Sequence, residues 1–198
     1  MKKFLVSAAL VAAAASMAFF ALGAAPAAKA KPGAAVARGK YLVATSACND
    51  CHTPKNMGPN GPEFDMTRQL AGYVDVKMPS PPASSAAWPI HANGELTAWA
   101  GPWGISYARN LTPDMNTGIG SWSEETFIKA IRTGKHMGVS RPILPPMPWQ
   151  VYSQMTDQDL KAIYAYLRTI PAINNPTPDP VAPPAPPAKA PAPAKKKK

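Results

Sequence analysis

The stretch Cys48-Asn49-Asp50-Cys51-His52 constrains this chain more than any other. Two cysteines separated by two residues, with a histidine directly after, form the C-x-x-C-H pattern of covalent haem attachment. The spacing has a chemical reason: each thiol adds to one haem vinyl group, and the adjacent imidazole reaches the iron as its proximal ligand. These are the only 2 cysteines in the chain, so none remain for a disulfide framework or a four-thiolate metal site. Three other readings compete. A redox dithiol expects a thioredoxin-like βαβ context, which the pattern here lacks. A structural zinc wants four ligands, and His91 and His136 would have to complete the set at irregular spacing. A small disulfide would make the motif a chance match. Motif specificity favours haem.

The two ends bear on where such a cofactor would be attached. Met1-Lys2-Lys3 is a short basic start, and an alanine-rich apolar run follows from Phe4 to Leu22. Small residues then offer cleavage sites after Ala25 or Ala30, the layout of a secretory signal peptide over residues 1–25. The competing reading is an uncleaved anchor, because the run approaches the ~20 residues that span a bilayer. From Pro176 to Ala194 the chain is almost entirely proline and alanine, ending in Lys195 to Lys198. That composition predicts a disordered, extended tail over 176–198. Between the ends, residues 34–175 suffice for one domain with one core.

The formal net charge of +10 resembles a nucleic-acid footprint. Its distribution argues otherwise, because basic and acidic residues nearly balance between Ala34 and Pro176 and the excess sits at the two ends. Basicity belongs to a tail, so nucleic acid is not the expected partner. The tail either aids solubility or contacts an anionic membrane, a cell-wall polymer or an acidic partner.

Ala34 to Ser46 reads as a helix leading into the motif, with Val36, Leu42 and Val43 apolar. Gly39 costs that helix about 1 kcal/mol relative to alanine, which makes sense if another helix crosses closely over it. After His52, Gly58-Pro59-Asn60-Gly61-Pro62 is turn punctuation. A ligating histidine is oriented through its outer nitrogen, and a carbonyl of Pro59 or Pro62 is a candidate acceptor. The middle, from Lys77 to Asn110, is the least regular, with a short strand expected over Glu95 to Trp99. Trp88, Trp99, Trp103 and Tyr107 are expected to pack over the porphyrin or one another, and His91 to be exposed.

Order returns at Ser123, an N-cap followed by Glu124 and Glu125. Phe127, Ile128, Ala130 and Ile131 give that helix its apolar face, and Gly134 ends it. Thr156 caps a last helix with Leu160, Ile163, Tyr164 and Leu167 at helical spacing, ended by Pro171. This helix is expected to cross the first with Tyr164 or Leu167 near Gly39. Between them, Ile143-Leu144-Pro145-Pro146-Met147-Pro148-Trp149 holds a thioether on a stiff loop. A soft sulfur offered that way suits haem iron, making Met147 the candidate distal ligand. Met57, Met66, Met78, Met115, Met137 and the two spare histidines are the alternatives.

Taken together, the Gly39-Lys40-Tyr41-Leu42 helix, the Cys48 to His52 motif, the Gly-Pro loop, the methionine loop and the terminal helix resemble the bacterial monohaem class I cytochromes c. The stretches Asn110-Leu111-Thr112-Pro113-Asp114 and Thr117-Gly118-Ile119-Gly120-Ser121-Trp122 are similar to haem domains in cytochrome subunits of membrane-bound dehydrogenases. The resemblance covers Val36 to Pro171. It implies a mostly α cytochrome c fold of at least three helices with long irregular loops around one haem c. Cys48 and Cys51 would tether it, with His52 and Met147 as the two iron ligands. Those dehydrogenase subunits carry several haem motifs and this chain has one, so the expectation is an exported, periplasmic electron carrier acting between redox partner proteins, rather than an enzyme. A haem subunit of a dehydrogenase complex is the alternative, and a five-coordinate haem enzyme or sensor a more distant one.

Overall fold

The computed structural model describes residues 32–74, 81 and 89–183. All of these lie in one compact unit that begins at Lys31. The expected signal segment, Met78, Trp88 and the tail beyond Pro183 fall outside the described residues.

Three helices frame the fold. Helix α1 runs from Pro32 to Thr45, starting earlier than expected at a proline, which suits a first helical turn because its missing N–H has no partner there anyway. Helix α3, Glu124–Thr133, is capped by the Ser123 hydroxyl, which accepts from the Thr126 amide, and closes on Gly134 at φ 63°. Helix α5, Asp157–Leu167, is capped by Thr156, which accepts from the Asp159 amide. Both caps and the glycine stop follow the local signals in the sequence.

Helices α1 and α5 cross in close contact, and the crossing point is Gly39. A Cβ there would run into the Ala162 carbonyl and the Tyr166 side chain. The neighbours are therefore Ala162 and Tyr166, not the expected Tyr164 or Leu167. Tyr164 is turned away toward α3, where its hydroxyl donates to the Trp122 carbonyl at 2.6 Å and its ring lies 5.6 Å from Phe127. Leu167 is fully buried in the shared core with Leu42, Val43, Leu70, Ile119, Phe127, Leu160 and Ile163.

Two shorter helices carry the chemistry-bearing loops: α2, Cys48–His52, and α4, Trp149–Tyr152. Regular structure is mainly helical among the described residues, and two small antiparallel sheets add to it. Strands β1, Lys55–Gly58, and β2, Gly61–Phe64, pair Gly58 with Gly61 around Pro59 and Asn60. The Gly-Pro punctuation thus builds a hairpin. Strands β3, His91–Ala92, β4, Ala98–Gly101, and β5, Gly104–Tyr107, form the second sheet in that order. The strand expected over Glu95 to Trp99 starts later, because Leu96 turns with φ 59° and Asn93 Oδ1 accepts from the Thr97 and Ala98 amides. His91, expected to be exposed, is half-buried in β3.

The chain end departs further from expectation. Residues 176–183, read as the start of a disordered tail, run extended against the body of the domain. Val181 exchanges two backbone hydrogen bonds with Ile105 of β5, both 2.9 Å. Polyproline-rich chain has no internal hydrogen bonds, so its carbonyls are free to accept from elsewhere, and here they do.

Candidate haem site

Ala47, at φ 58°, breaks the chain direction between α1 and α2. The single turn that follows puts Cys48, Cys51 and His52 on one face, since residues three and four apart in a helix are neighbours. All three line one cleft of about 330 Å³. Asn49, on another face of the turn, accepts from the Thr53 hydroxyl at 3.0 Å. Cys48 and Cys51 are not joined to each other by a disulfide. Burial pushes the Cys48 thiol up to about 11 and raises Cys51 as well.

His52 is buried, 8% exposed. Burial lowers its pKa, and the hydrogen bond to the Arg109 carbonyl opposes that shift. Nδ1 lies 2.7 Å from that carbonyl oxygen. With Nδ1 donating there, Nε2 is left with its lone pair for a metal, the usual arrangement of a ligating histidine. The acceptor corrects the expectation of Pro59 or Pro62. Those prolines are committed to the β1–β2 hairpin, and the carbonyl arrives from 57 residues along the chain.

The Arg109 carbonyl is held by the stretch that follows it. Asn110, 2% exposed, accepts from the Thr112 amide at 2.9 Å and hydroxyl at 2.7 Å. Asp114 accepts from the amides of Asn116 and Thr117 and the Thr117 hydroxyl. Gly118 packs so tightly that a Cβ would strike the Thr112 carbonyl. Residues 110–118 thus make a rigid backbone cradle beside His52.

Met147 lines the same cleft and is half-buried. Its loop is fastened on one side by Ser106, whose hydroxyl donates to the Pro145 carbonyl at 2.6 Å. On the other side, α4 begins at Trp149, whose indole packs against Gly134. Of the alternative ligands, Met137 and His136 also line the cleft. Met57, Met66 and Met115 are exposed and do not line it.

The remaining lining separates into apolar and cationic parts. Trp99, Tyr107, Leu111, Ile119, Trp122 and Phe127 offer apolar and aromatic surface that suits a porphyrin face. Trp103 lies outside the cleft, its indole N–H donating to the Ser106 hydroxyl at 3.3 Å. Tyr152 stands at the cysteine end. Its hydroxyl donates to the Ser46 carbonyl at 2.6 Å, and burial, with Cys48 and Cys51 nearby, pushes it up to about 12. Arg109 and Arg141 form a separate positive group in the lining, with His136 beside them. Burial and then Arg141 lower the Arg109 pKa; burial, Arg141 and Arg109 lower that of His136. The two thiols would suit the vinyl groups of a haem, and the cationic side chains would suit its propionates. Among the described residues, no group of three or more His, Cys, Asp or Glu could hold a metal ion, so the four-ligand set of a structural zinc is missing there.

An apolar cleft with two thiols and an oriented imidazole on one helical turn defines a haem-attachment protein. Comparison with known proteins agrees: the profile of the cytochrome c family matches residues 36–171. The chain belongs to the cytochrome c family, whose cofactor is covalently bound haem c. It is 30% identical over 134 residues to the fructose dehydrogenase cytochrome subunit of Gluconobacter japonicus, covering 68% of this chain and 21% of that protein. It is 32% identical over 133 residues to the gluconate 2-dehydrogenase cytochrome c subunit of Pantoea cypripedii, covering 67% and 22%. To the cytochrome c subunit of the quinone-dependent alcohol dehydrogenase of Gluconobacter oxydans it is 28% identical over 133 residues, covering 67% and 21%. The chain therefore spans about a fifth of the length of these relatives.

Proposed function

We propose that this chain is an electron-transfer protein with one haem c, tethered by Cys48 and Cys51 and ligated by His52 and Met147. The observation that carries this reading is the helical turn Cys48–His52, which presents both thiols and the imidazole to one apolar cleft. When bound, haem iron supplies a one-electron ferric/ferrous couple, and His/Met ligation raises its potential. The chain's own residues do the rest. The Arg109 carbonyl holds the proton on Nδ1 of His52, the Ser106 bond fixes the Met147 loop, and the aromatic lining excludes water. Arg141 would supply positive charge for the propionates. Ligation by both side chains would leave no open position for a substrate, so the chain would carry electrons without catalysing a reaction.

The names of the relatives support a second reading, in which the chain passes electrons as a haem subunit of a dehydrogenase complex. Donor and acceptor are then redox partner proteins, and co-purification of a dehydrogenase separates this reading from a free-standing carrier. Residues 1–25 read as an export signal, which supports a mature protein that is periplasmic or otherwise exported. No helix among the described residues is long and apolar enough to cross a membrane. Lys195 to Lys198 would add a salt-sensitive contact with an anionic membrane, cell-wall polymer or acidic partner.

A denaturing gel stained for haem peroxidase activity tests the attachment: haem migrates with the wild-type polypeptide, and Cys51→Ser loses most of it. Haem that extracts from the wild type into acidic solvent would overturn the proposal. For the distal ligand, Met147→Ala abolishes the long-wavelength sulfur-to-iron band of the oxidised protein and lets carbon monoxide bind the reduced one. Survival of that band in Met147→Ala transfers the role to Met137. A wild type without the band transfers it to His136.

A further inference from the structure

The loops that contact His52 are themselves met by a piece of chain outside the matched cytochrome c region, which ends at residue 171. Residues 173–181 cross the back of the site and grip both loops that touch His52. The first loop, residues 70–73, meets the main chain of His52: the Gly72 amide donates to the His52 carbonyl at 2.8 Å. Asn175 braces that loop, its side-chain amide donating to the carbonyls of Ala71 and Tyr73, both at 2.8 Å. The second loop supplies the Arg109 carbonyl to the His52 ring. There the Arg109 guanidinium donates to the carbonyls of Thr177 at 2.9 Å and Pro178 at 3.0 Å.

Two further ties hold the strap in register. Asn110 donates to the Ile173 carbonyl at 2.8 Å, and the Ile173 amide donates back to the Thr112 hydroxyl at 3.1 Å. Beyond Arg109, the Val181 pairing with Ile105 closes the strap on β5. Pairing here leaves no room for a side chain, since a Cβ on Gly104 would strike the Val181 carbonyl.

We propose that residues 173–181 are a latch that positions the proximal ligand, with Asn175 and Arg109 as positioning residues. Asn175 fixes the loop bonded to the His52 main chain, and Arg109 fixes the carbonyl bonded to its ring, so the strap sets the imidazole from both ends. A ligating histidine with a firmly held acceptor is a stronger donor to iron, which favours the ferric state. Loosening the latch therefore weakens that donation and raises the reduction potential. This inference rests on the haem reading above. Covalent haem on the wild-type chain is verified first, so that failure of that reading is seen before any latch variant is compared.

The test uses Arg109→Ala and Asn175→Ala, both of which keep the Arg109 carbonyl itself. In the reduced, haem-loaded protein, the His52 Nδ1 proton exchanges with solvent about tenfold faster or more in each, since each variant removes two hydrogen bonds of support. The potential shifts upward in Asn175→Ala, which leaves every charge in place, and Arg109→Lys restores part of the exchange effect of Arg109→Ala. Removal of residues 184–198 changes neither. A role confined to general stability would lower the melting temperature while leaving exchange and potential at wild-type values, and that result overturns the proposal. If the alanine variants do not accumulate, native-state exchange of the wild type decides. The latch requires the His52 Nδ1 proton to be released in the same opening event as the amides of Val181 and Ile105. Release that is independent of those amides overturns it.

Discussion

The helical frame and the loops behind the haem cleft are built on different terms. In the frame, the helix ends answer to residues within a turn or two: Ser123 caps α3, Thr156 caps α5 and Gly134 ends α3. Behind the cleft, the defining contacts join residues far apart, such as His52 to Arg109 and Asn175 to Ala71, and most end on backbone carbonyls. Local side-chain chemistry specifies the frame; long-range backbone acceptors specify the site. The frame brings the loops together, and the loops then decide how the imidazole sits.

The largest expected effect breaks the frame alone. Gly39→Val pushes two methyl groups into the Ala162 carbonyl and Tyr166, which are backbone and core side chain and have nowhere to go. A loss of about 3 kcal/mol or more is expected from overpacking at such a crossing, read as a fall in melting temperature. In whatever fraction stays folded with haem attached, the His52 hydrogen bond and the reduction potential remain as in the wild type. A potential that moves with Gly39→Val would mean that frame and loops are not separable.

A smaller effect, on the other side of the comparison, follows from Asn110→Ala. Asn110 is buried and joins Thr112, Thr117 and Ile173 through its side chain. Its removal leaves the Thr112 amide without its acceptor and the Ile173 carbonyl with only the longer bond from the Thr112 hydroxyl at 3.3 Å, at a cost of about 2 kcal/mol. Unlike Gly39→Val, this variant also shifts the potential, because Asn110 adjoins the Arg109 carbonyl. Equal potentials in Asn110→Ala and wild type would show that the cradle is structural only.

This contrast explains what the sequence discloses. The thiols and His52 are legible because their spacing is the chemistry. The close crossing at Gly39 is legible too, as a glycine that a helix tolerates only for a reason, though its partners Ala162 and Tyr166 depend on the crossing angle. The Arg109 carbonyl has no signature, since any residue offers the same oxygen. Asn110 and Asp114 are visible as part of a stretch similar to other cytochrome subunits, but their work, folding a loop back on itself, requires knowing which carbonyl they support. Low-complexity composition likewise hides the latch. Asn175 and Thr177 stand at the edge of the Pro/Ala run, and nothing local separates a docked polyproline-like strap from a solvated one.

The smallest expected effect compares acid sensitivity in the two regions. Asp65 is held down to about 2, first by the Thr67 hydroxyl, then by Arg68; the hydroxyl donates at 2.5 Å and the guanidinium at 2.7 Å. It belongs to the loop side, capping the turn Met66–Arg68 that leads to buried Leu70. In the frame, Asp159 is also lowered, first by its hydrogen bond with Arg38, which joins α1 to α5 at 2.9 Å. A carboxylate with a depressed folded pKa stabilises the fold above its unfolded value of about 3.9 and loses that contribution as pH falls through the folded value. For Asp65 the window therefore runs from about pH 4 down to about 2. Asp65→Asn should flatten the acid limb of stability in that window and lower the melting temperature only slightly at pH 7, because the group is solvent-screened. Asp159→Asn should flatten the same limb without touching the loops. The probe that separates them is His52: acidification of the wild type should speed exchange of its Nδ1 proton as Asp65 protonates, and Asp65→Asn should remove that step while Asp159→Asn keeps it. If both variants, or neither, remove it, the loop around Asp65 is not part of what holds the proximal ligand.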